Sequence, residues 1–179
     1  LSWHSKTTMS NILAFAGSNS STSINHQLLK YIQNNYLPDL NLIELRSFEV
    51  PMYAMDTELN SGIPLTVQNL HAEIQNADRL LLSTSEHNGS YTSYFKSAMD
   101  WLSRFDRDFV KEKKVFIAGT SPGRGGAANS IELSKRLMER LGASVQETFS
   151  LPSFGHVFEN GKLIEEHESR LADFITTVK

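Results

Sequence analysis

Hydrophobic and polar positions along the chain change period several times. Ile12–Ala16 is an unbroken apolar run ended by Gly17, the mark of a strand covered on both faces. From Thr22 the spacing turns helical: Ile24, Leu28, Tyr31 and Ile32 share one face, and Pro38–Asp39 closes the segment. Leu40–Leu45 reads as a second strand. Ser47–Pro64, with two prolines and a polar stretch, reads as a long loop. Val67, Leu70, Ile74 and Ala77 form a second helical stripe, and Arg79–Ser85 a third strand. Phe95, Ala98, Met99 and Leu102 place a helix over about Thr92–Phe105. Val115–Gly119 is a fourth strand after the charged turn Lys111–Lys114. Ala127, Ile131, Leu137, Met138 and Leu141 mark a fourth helix, with Gly142 at its expected C-cap. Ser144–Leu151 gives a fifth strand, and Leu171, Phe174, Ile175 and Val178 a closing helix.

Strands alternating with helices imply a parallel sheet covered on both faces. Right-handed crossovers leave a Rossmann half and the flavodoxin order 2-1-3-4-5 as the leading topologies. In either, ligands gather outside the carboxyl ends of the strands, where the strand order reverses. The segments after the first, third and fourth strands are therefore where chemistry is expected.

The first segment, Gly17-Ser18-Asn19-Ser20-Ser21-Thr22-Ser23-Ile24-Asn25, joins a buried strand to a helix N-terminus. Unpaired N–H groups and a partial positive charge at such a terminus favour an anion. The loop lacks the second and third glycines of a dinucleotide fingerprint and the lysine of a Walker A loop. Its hydroxyls suit a single terminal phosphate, as in a mononucleotide, although Ser, Thr and Asn also cap helices without any ligand. The second segment, Ser85-Glu86-His87-Asn88-Gly89-Ser90, contains an Asn-Gly turn pair that accommodates positive φ, and its glycine lets a flat ring approach the main chain. The third, Thr120-Ser121-Pro122-Gly123-Arg124-Gly125-Gly126, combines three glycines with Arg124, a permanent cation able to meet a nucleotide phosphate.

Composition narrows the chemistry. The 179 residues fit one domain over 9–179, with Leu1–Thr8 as an N-terminal extension or tag remnant ahead of Met9. The chain has no cysteine, which excludes disulfides, thiolate metal sites and cysteine catalysis, so any redox work needs a bound cofactor. A net charge of −3 with scattered Lys and Arg argues against nucleic acid as a partner. No apolar run approaches the roughly 20 residues of a membrane span, and none forms a signal peptide, so a cytoplasmic location is the default. The six histidines show no metal-ligand spacing, so no metal is expected.

These segments resemble the NADPH-dependent FMN reductase family, which includes FMN-linked quinone, chromate and azo-dye reductases. The family opens with G-S-x-R-x-x-S-x-N after a strand, and here Gly17-Ser18-Asn19-Ser20-Ser21-Thr22-Ser23-Ile24-Asn25 occupies that place. Its P-E-Y-N-G-S signature and following A-x-D-W-L-S-R helix are similar to Ser85–Ser90 and Ala98–Arg104. Ser121–Gly126 matches its Gly-rich third loop. The resemblance implies an α/β, flavodoxin-like three-layer sandwich whose five-stranded parallel sheet has the order 2-1-3-4-5, with helices on both faces. It implies FMN as cofactor and NADPH or NADH as co-substrate. The electron acceptor would be a small molecule: a flavin, quinone, azo compound or metal oxyanion. It also implies a homodimer or homotetramer, with the Trp101 helix near the subunit contact. On the same basis Ser18, Ser23 and Asn25 hold the FMN phosphate, together with the hydroxyl loop that includes Ser20. Glu86, His87, Asn88 and Gly89 border the ring, and Ser121 and Gly123, beside Arg124, close the other side. No catalytic side chain is required, because the flavin carries the chemistry.

Three positions depart from the family pattern. Ser20 replaces an arginine, with weaker FMN binding or compensation by Arg124 as the alternative consequences. Ser85 replaces a proline, and His87 a tyrosine. An FMN electron carrier served by a protein partner, or a binding module without cofactor, are the competing readings.

Overall fold

The computed structural model describes residues 11–179, so the expectation for Leu1–Thr8 lies outside the described residues. The chain runs β1 (Ile12–Ala16), α1 (Ile24–Asn35), β2 (Asn41–Leu42), α2 (Met55–Ser61), α3 (Leu65–Asn76), β3 (Arg79–Thr84), β4 (Glu86–His87), β5 (Ser90–Tyr91), α4 (Ser93–Phe105), β6 (Lys114–Thr120), α5 (Ala128–Arg140), β7 (Ser144–Leu151), β8 (Phe158–Glu159), β9 (Lys162–Leu163) and α6 (Glu165–Val178). Five of these strands form one parallel sheet in the order β2-β1-β3-β6-β7. Counting sheet strands alone, this is the expected 2-1-3-4-5.

Alternation along the strands divides the core in two. Leu13 and Phe15 of β1, Leu80 and Leu82 of β3, and Val115 and Ile117 of β6 face α3, α4 and α5, where Leu70, Ile74, Phe95, Trp101 and Ile131 meet them. Ala14 and Ala16, Leu81, and Phe116 and Ala118 face α1 and α6, against Leu28, Ile32, Leu171, Phe174 and Val178. Because both faces are covered, β1 reads as a solid apolar run: every residue in it is buried. Trp101 is fully buried, and its indole Nε1–H donates to the Pro51 carbonyl at 2.9 Å.

Two expectations require correction. The second strand is not Leu40–Leu45 but only Asn41–Leu42, paired to Leu13 and Ala14 at the sheet edge. Leu45 then enters the core from a 3-10 turn, Leu45–Phe48, instead of continuing the ladder. The segment Ser47–Pro64 is not a plain loop, because it contains α2. No residue of α2 is buried, so it leaves no apolar stripe to read. It is fastened by polar contacts: Arg104 binds Glu58 through Nε and Nη2 at 2.9–3.0 Å, and the Tyr53 hydroxyl donates to the same carboxylate at 2.9 Å.

Candidate active site

The loops after β1, β3 and β6 meet at one rim. They line a cleft of about 240 Å³ formed by Ser18, Ser20, Thr22, Ser23, Ile24, Asn25, Ser85, Glu86, His87, Thr120, Ser121 and Pro122. The expected convergence is thus present in the geometry.

The serine loop is wound on itself. The Ser20 N–H donates to Ser18 Oγ at 3.1 Å and the Thr22 N–H to Ser20 Oγ at 3.2 Å. Ser23 is the N-cap of α1, its Oγ accepting from the His26 N–H at 3.2 Å. The hydrogens of the Ser18 and Ser23 hydroxyls remain free to turn toward the cleft, while Ser20 Oγ lies 3.3 Å from Thr22 Oγ1. Among the described residues, the backbone N–H groups of Ile24 and Asn25, the first two of the helix, have no protein acceptor. Gly17 serves packing here: a Cβ on it would stand 3.0 Å from the Phe95 ring. The Thr92 hydroxyl donates to the Gly17 carbonyl at 2.7 Å and accepts from the Phe95 N–H at 3.0 Å, so the cap of α4 also fixes the loop.

Asn25 ties the three crossings together. It is buried, and both ends of its amide are fully engaged. Nδ2 donates to Ser85 Oγ and to the Thr120 carbonyl, each at 3.1 Å. Oδ1 accepts from Ser83 Oγ at 2.8 Å and from the Thr120 N–H at 3.0 Å. Two donors and two acceptor sites exhaust the side chain, so it contributes to the rim by position, with its backbone N–H left for an anion.

The second loop is a tight hairpin. His87 and Ser90 pair across Asn88-Gly89, whose φ values of 52° and 76° are both positive, as a two-residue Asn-Gly hairpin requires. Glu86 reaches α5, a helix whose N-cap position is Ala127 and offers no side-chain oxygen. Its carboxylate accepts from the Ser130 N–H at 3.1 Å and from Asn129 Nδ2 at 3.3 Å, a borrowed cap that also suits the helix dipole. A buried hydroxyl cluster holds β3 to α5: Thr84 Oγ1 lies 2.6 Å from Ser130 Oγ and accepts from Ser134 Oγ at 3.1 Å.

The third loop turns outward. Ser121 lines the cleft, whereas Gly123 and Arg124 do not. Gly123, Arg124 and Gly125 are exposed, and Cβ atoms on the two glycines would meet nothing within 4 Å. Asn88 and Gly89 are also exposed at the hairpin tip, beyond the lining residues. The rim therefore gathers Ser18, Ser20, Ser23, Asn25, Glu86, His87 and Ser121, with Asn88, Gly89, Gly123 and Arg124 on its outer margin. Thr22, Ser85 and Thr120 also line the cleft. Ser85 and Thr120 stand where buried strands end in hydroxyl residues, and Thr22 belongs to the hydroxyl loop ahead of α1.

A parallel sheet of this order with a phosphate-suited rim defines a flavodoxin-like α/β protein. The profile of the NADPH-dependent FMN reductase family matches residues 10–156, and the chain belongs to that family. It is 30% identical over 173 residues to an NADH:(hydroxy)cinnamate reductase subunit from Vibrio ruber, spanning 88% of this chain and 79% of the relative. It is 31% identical over 144 residues to a quinone reductase of Escherichia coli K12, spanning 73% and 76%. Among solved structures, the flavoenzyme NAD(P)H:(acceptor) oxidoreductase of Paracoccus denitrificans superimposes with a TM-score of 0.73 at 26% identity, covering 95% of this chain and 93% of that one. An FMN complex from Treponema denticola shares the fold, with a TM-score of 0.59 at 14% identity over 95% and 98%. The chain is thus an NAD(P)H-dependent oxidoreductase of the FMN type. Among the described residues no helix is long and apolar enough to cross a membrane, and no group of three or more His, Asp or Glu could hold a metal ion.

The rim fits FMN by its chemistry. It offers orphaned helix N–H groups and turnable hydroxyls for a phosphate, and an open glycine-bearing hairpin for a flat ring.

Proposed function

We propose that FMN lies across the three loops, and that the protein oxidises NADH or NADPH to reduce a small acceptor of the quinone or flavin class. Bound FMN would supply the two-electron chemistry between the nicotinamide and the acceptor. The observation that carries this reading is the convergence of the serine loop, the α1 N-terminus and two further strand-end loops on one cleft.

Each part of the rim then has a task. The hydroxyls of Ser18, Ser20 and Ser23 and the N–H groups of Ile24 and Asn25 donate to the phosphate. The Asn25 side chain keeps the loops at fixed separation. Glu86, His87, Asn88 and Gly89 border the ring edge, with Glu86 tying the hairpin to α5. Ser121 and Gly123 close the opposite side, and Arg124 on the outer loop meets a phosphate of the incoming nucleotide. No side chain of the chain acts as nucleophile or general acid. The protein's contribution is to orient the reactants at near-attack distance. The working unit is a homodimer or homotetramer in the cytoplasm.

The test is anaerobic addition of NADH or NADPH to the FMN-loaded chain. The reading requires rapid loss of the yellow flavin band and its return on adding a quinone. A chain that takes up no FMN sinks it. FMN that stays oxidised with both nucleotides points instead to the carrier.

A further inference from the structure

We propose that Arg46 is the cation that neutralises the flavin phosphate in this chain, taking over from the arginine that is absent at position 20. The inference rests on the FMN reading and concerns which charge serves the phosphate loop.

The serine loop also borders a second, small recess of about 20 Å³. Ser18, Ser20, Ser21 and Ser23 line it together with His26, Glu44 and Arg46. Ser18, Ser20 and Ser23 therefore belong both to this recess and to the main cleft. Arg124 shares a lining with none of these serines.

Arg46 is held for the task. Its 3-10 turn is anchored by Leu45, which is fully buried. Ser47 Oγ donates to the Glu44 carbonyl at 2.7 Å, and the Tyr94 hydroxyl donates to the Leu45 carbonyl at 3.3 Å. The Arg46 Nε–H donates to Glu44 Oε2 at 2.7 Å, which orients the guanidinium. Among the described residues its two terminal nitrogens have no acceptor. An arginine so placed keeps its donor fork for an oxyanion.

The local charge supports this assignment. Glu44 Oε1 lies 3.9 Å from His26 Nε2, and Lys30, one turn further along α1, is near enough to act on His26. With His26 neutral, Arg46 and Lys30 against Glu44 leave one net positive charge around His26, beside the loop. A phosphate in the main cleft would balance it, whereas riboflavin, which lacks the phosphate, would gain nothing from it.

The experiment is a fluorescence titration of the protein, stripped of flavin, with FMN and with riboflavin. Wild type, Arg46→Gln, Arg46→Lys and Arg124→Gln are compared at low and high salt. Arg46→Gln is expected to weaken FMN about tenfold, the scale of one charge-assisted hydrogen bond at a half-exposed site. Riboflavin affinity stays unchanged, Arg46→Lys recovers part of the loss, and Arg124→Gln matches wild type. The salt dependence of FMN binding shrinks in Arg46→Gln, because an attraction that ions screen has gone. The proposal is overturned if wild type binds FMN and Arg46→Gln binds it equally well. It is also overturned if Arg46→Gln weakens FMN and riboflavin alike, or if Arg124→Gln alone carries the loss. A wild-type chain that binds neither flavin overturns the FMN reading as a whole.

Discussion

Replacing Asn25 with alanine tests how the rim is held together. The amide orientation is fixed by Thr120, whose N–H can only donate and whose carbonyl can only accept. Removing the side chain deletes four hydrogen bonds of 2.8–3.1 Å in a buried site. The hydroxyls of Ser83 and Ser85 can rotate toward other acceptors, but the Thr120 N–H cannot turn. One orphaned buried donor costs about 1–3 kcal/mol, and the remaining net hydrogen bonds about 1 kcal/mol each. Partial relaxation offsets some of this, so a loss of about 3 kcal/mol is expected. For a domain of this size that lowers Tm by about 6–12 °C. Urea unfolding of the flavin-free chain measures the effect without involving the cofactor. Asn25→Asp, nearly the same in shape, sets an oxygen against the Thr120 carbonyl and is expected to be about as harmful at neutral pH. An Asn25→Ala variant within about 0.5 kcal/mol of wild type, the range of ordinary surface changes, would refute the clamp.

Two further outcomes follow from local geometry. Gly126→Ala is expected to destabilise by about 2 kcal/mol or more, since φ is +55° and the added Cβ would stand 3.0 Å from the Pro152 nitrogen and closer still to Ser150 Oγ. Gly123→Ala, with open space around it, stays near wild type in the same denaturation series. Burial holds the His26 imidazole below its ordinary value; Glu44 opposes the shift, while Lys30 and Arg46 reinforce it. As pH falls through about 6.5 the unfolded chain takes up this proton before the folded one does. His26 therefore contributes stability that is present above that pH and is lost as pH drops through its lower folded value. His26→Gln should flatten this part of the flavin-free stability profile, and an unchanged slope would exclude His26 as its source.

How much of the molecule could be read from the sequence depended on what each residue packs against. β1, β3 and β6 were legible because burial on both faces makes them continuous apolar runs. The turn at Asn88-Gly89 was legible because positive φ at two successive positions favours that residue pair, whereas the two-residue strands β4 and β5 that make it a hairpin are too short to leave a pattern. α2 was not, because Met55 and Leu59 are exposed and no residue of that helix faces the core. The second strand was overextended because Leu45 looked like its continuation, although it is buried from a turn instead. At the rim, residue types pointed to the three loops. They did not show that the Asn25 side chain is spent on Ser83, Ser85 and Thr120, nor that Glu86 caps a helix more than 40 positions later, at Ser130. Arg46 lay in a stretch with no motif, and it shares a recess with the serines once β2 has paired with β1.

The central claim is that three strand-end loops form one phosphate-binding rim for FMN. A crystal structure of the chain grown with FMN tests it most directly. The account predicts the phosphate within hydrogen-bond distance of the hydroxyls of Ser18, Ser20 and Ser23, with the ring against the Glu86–Gly89 hairpin. FMN bound elsewhere on the molecule, with that rim left open to solvent, would contradict it.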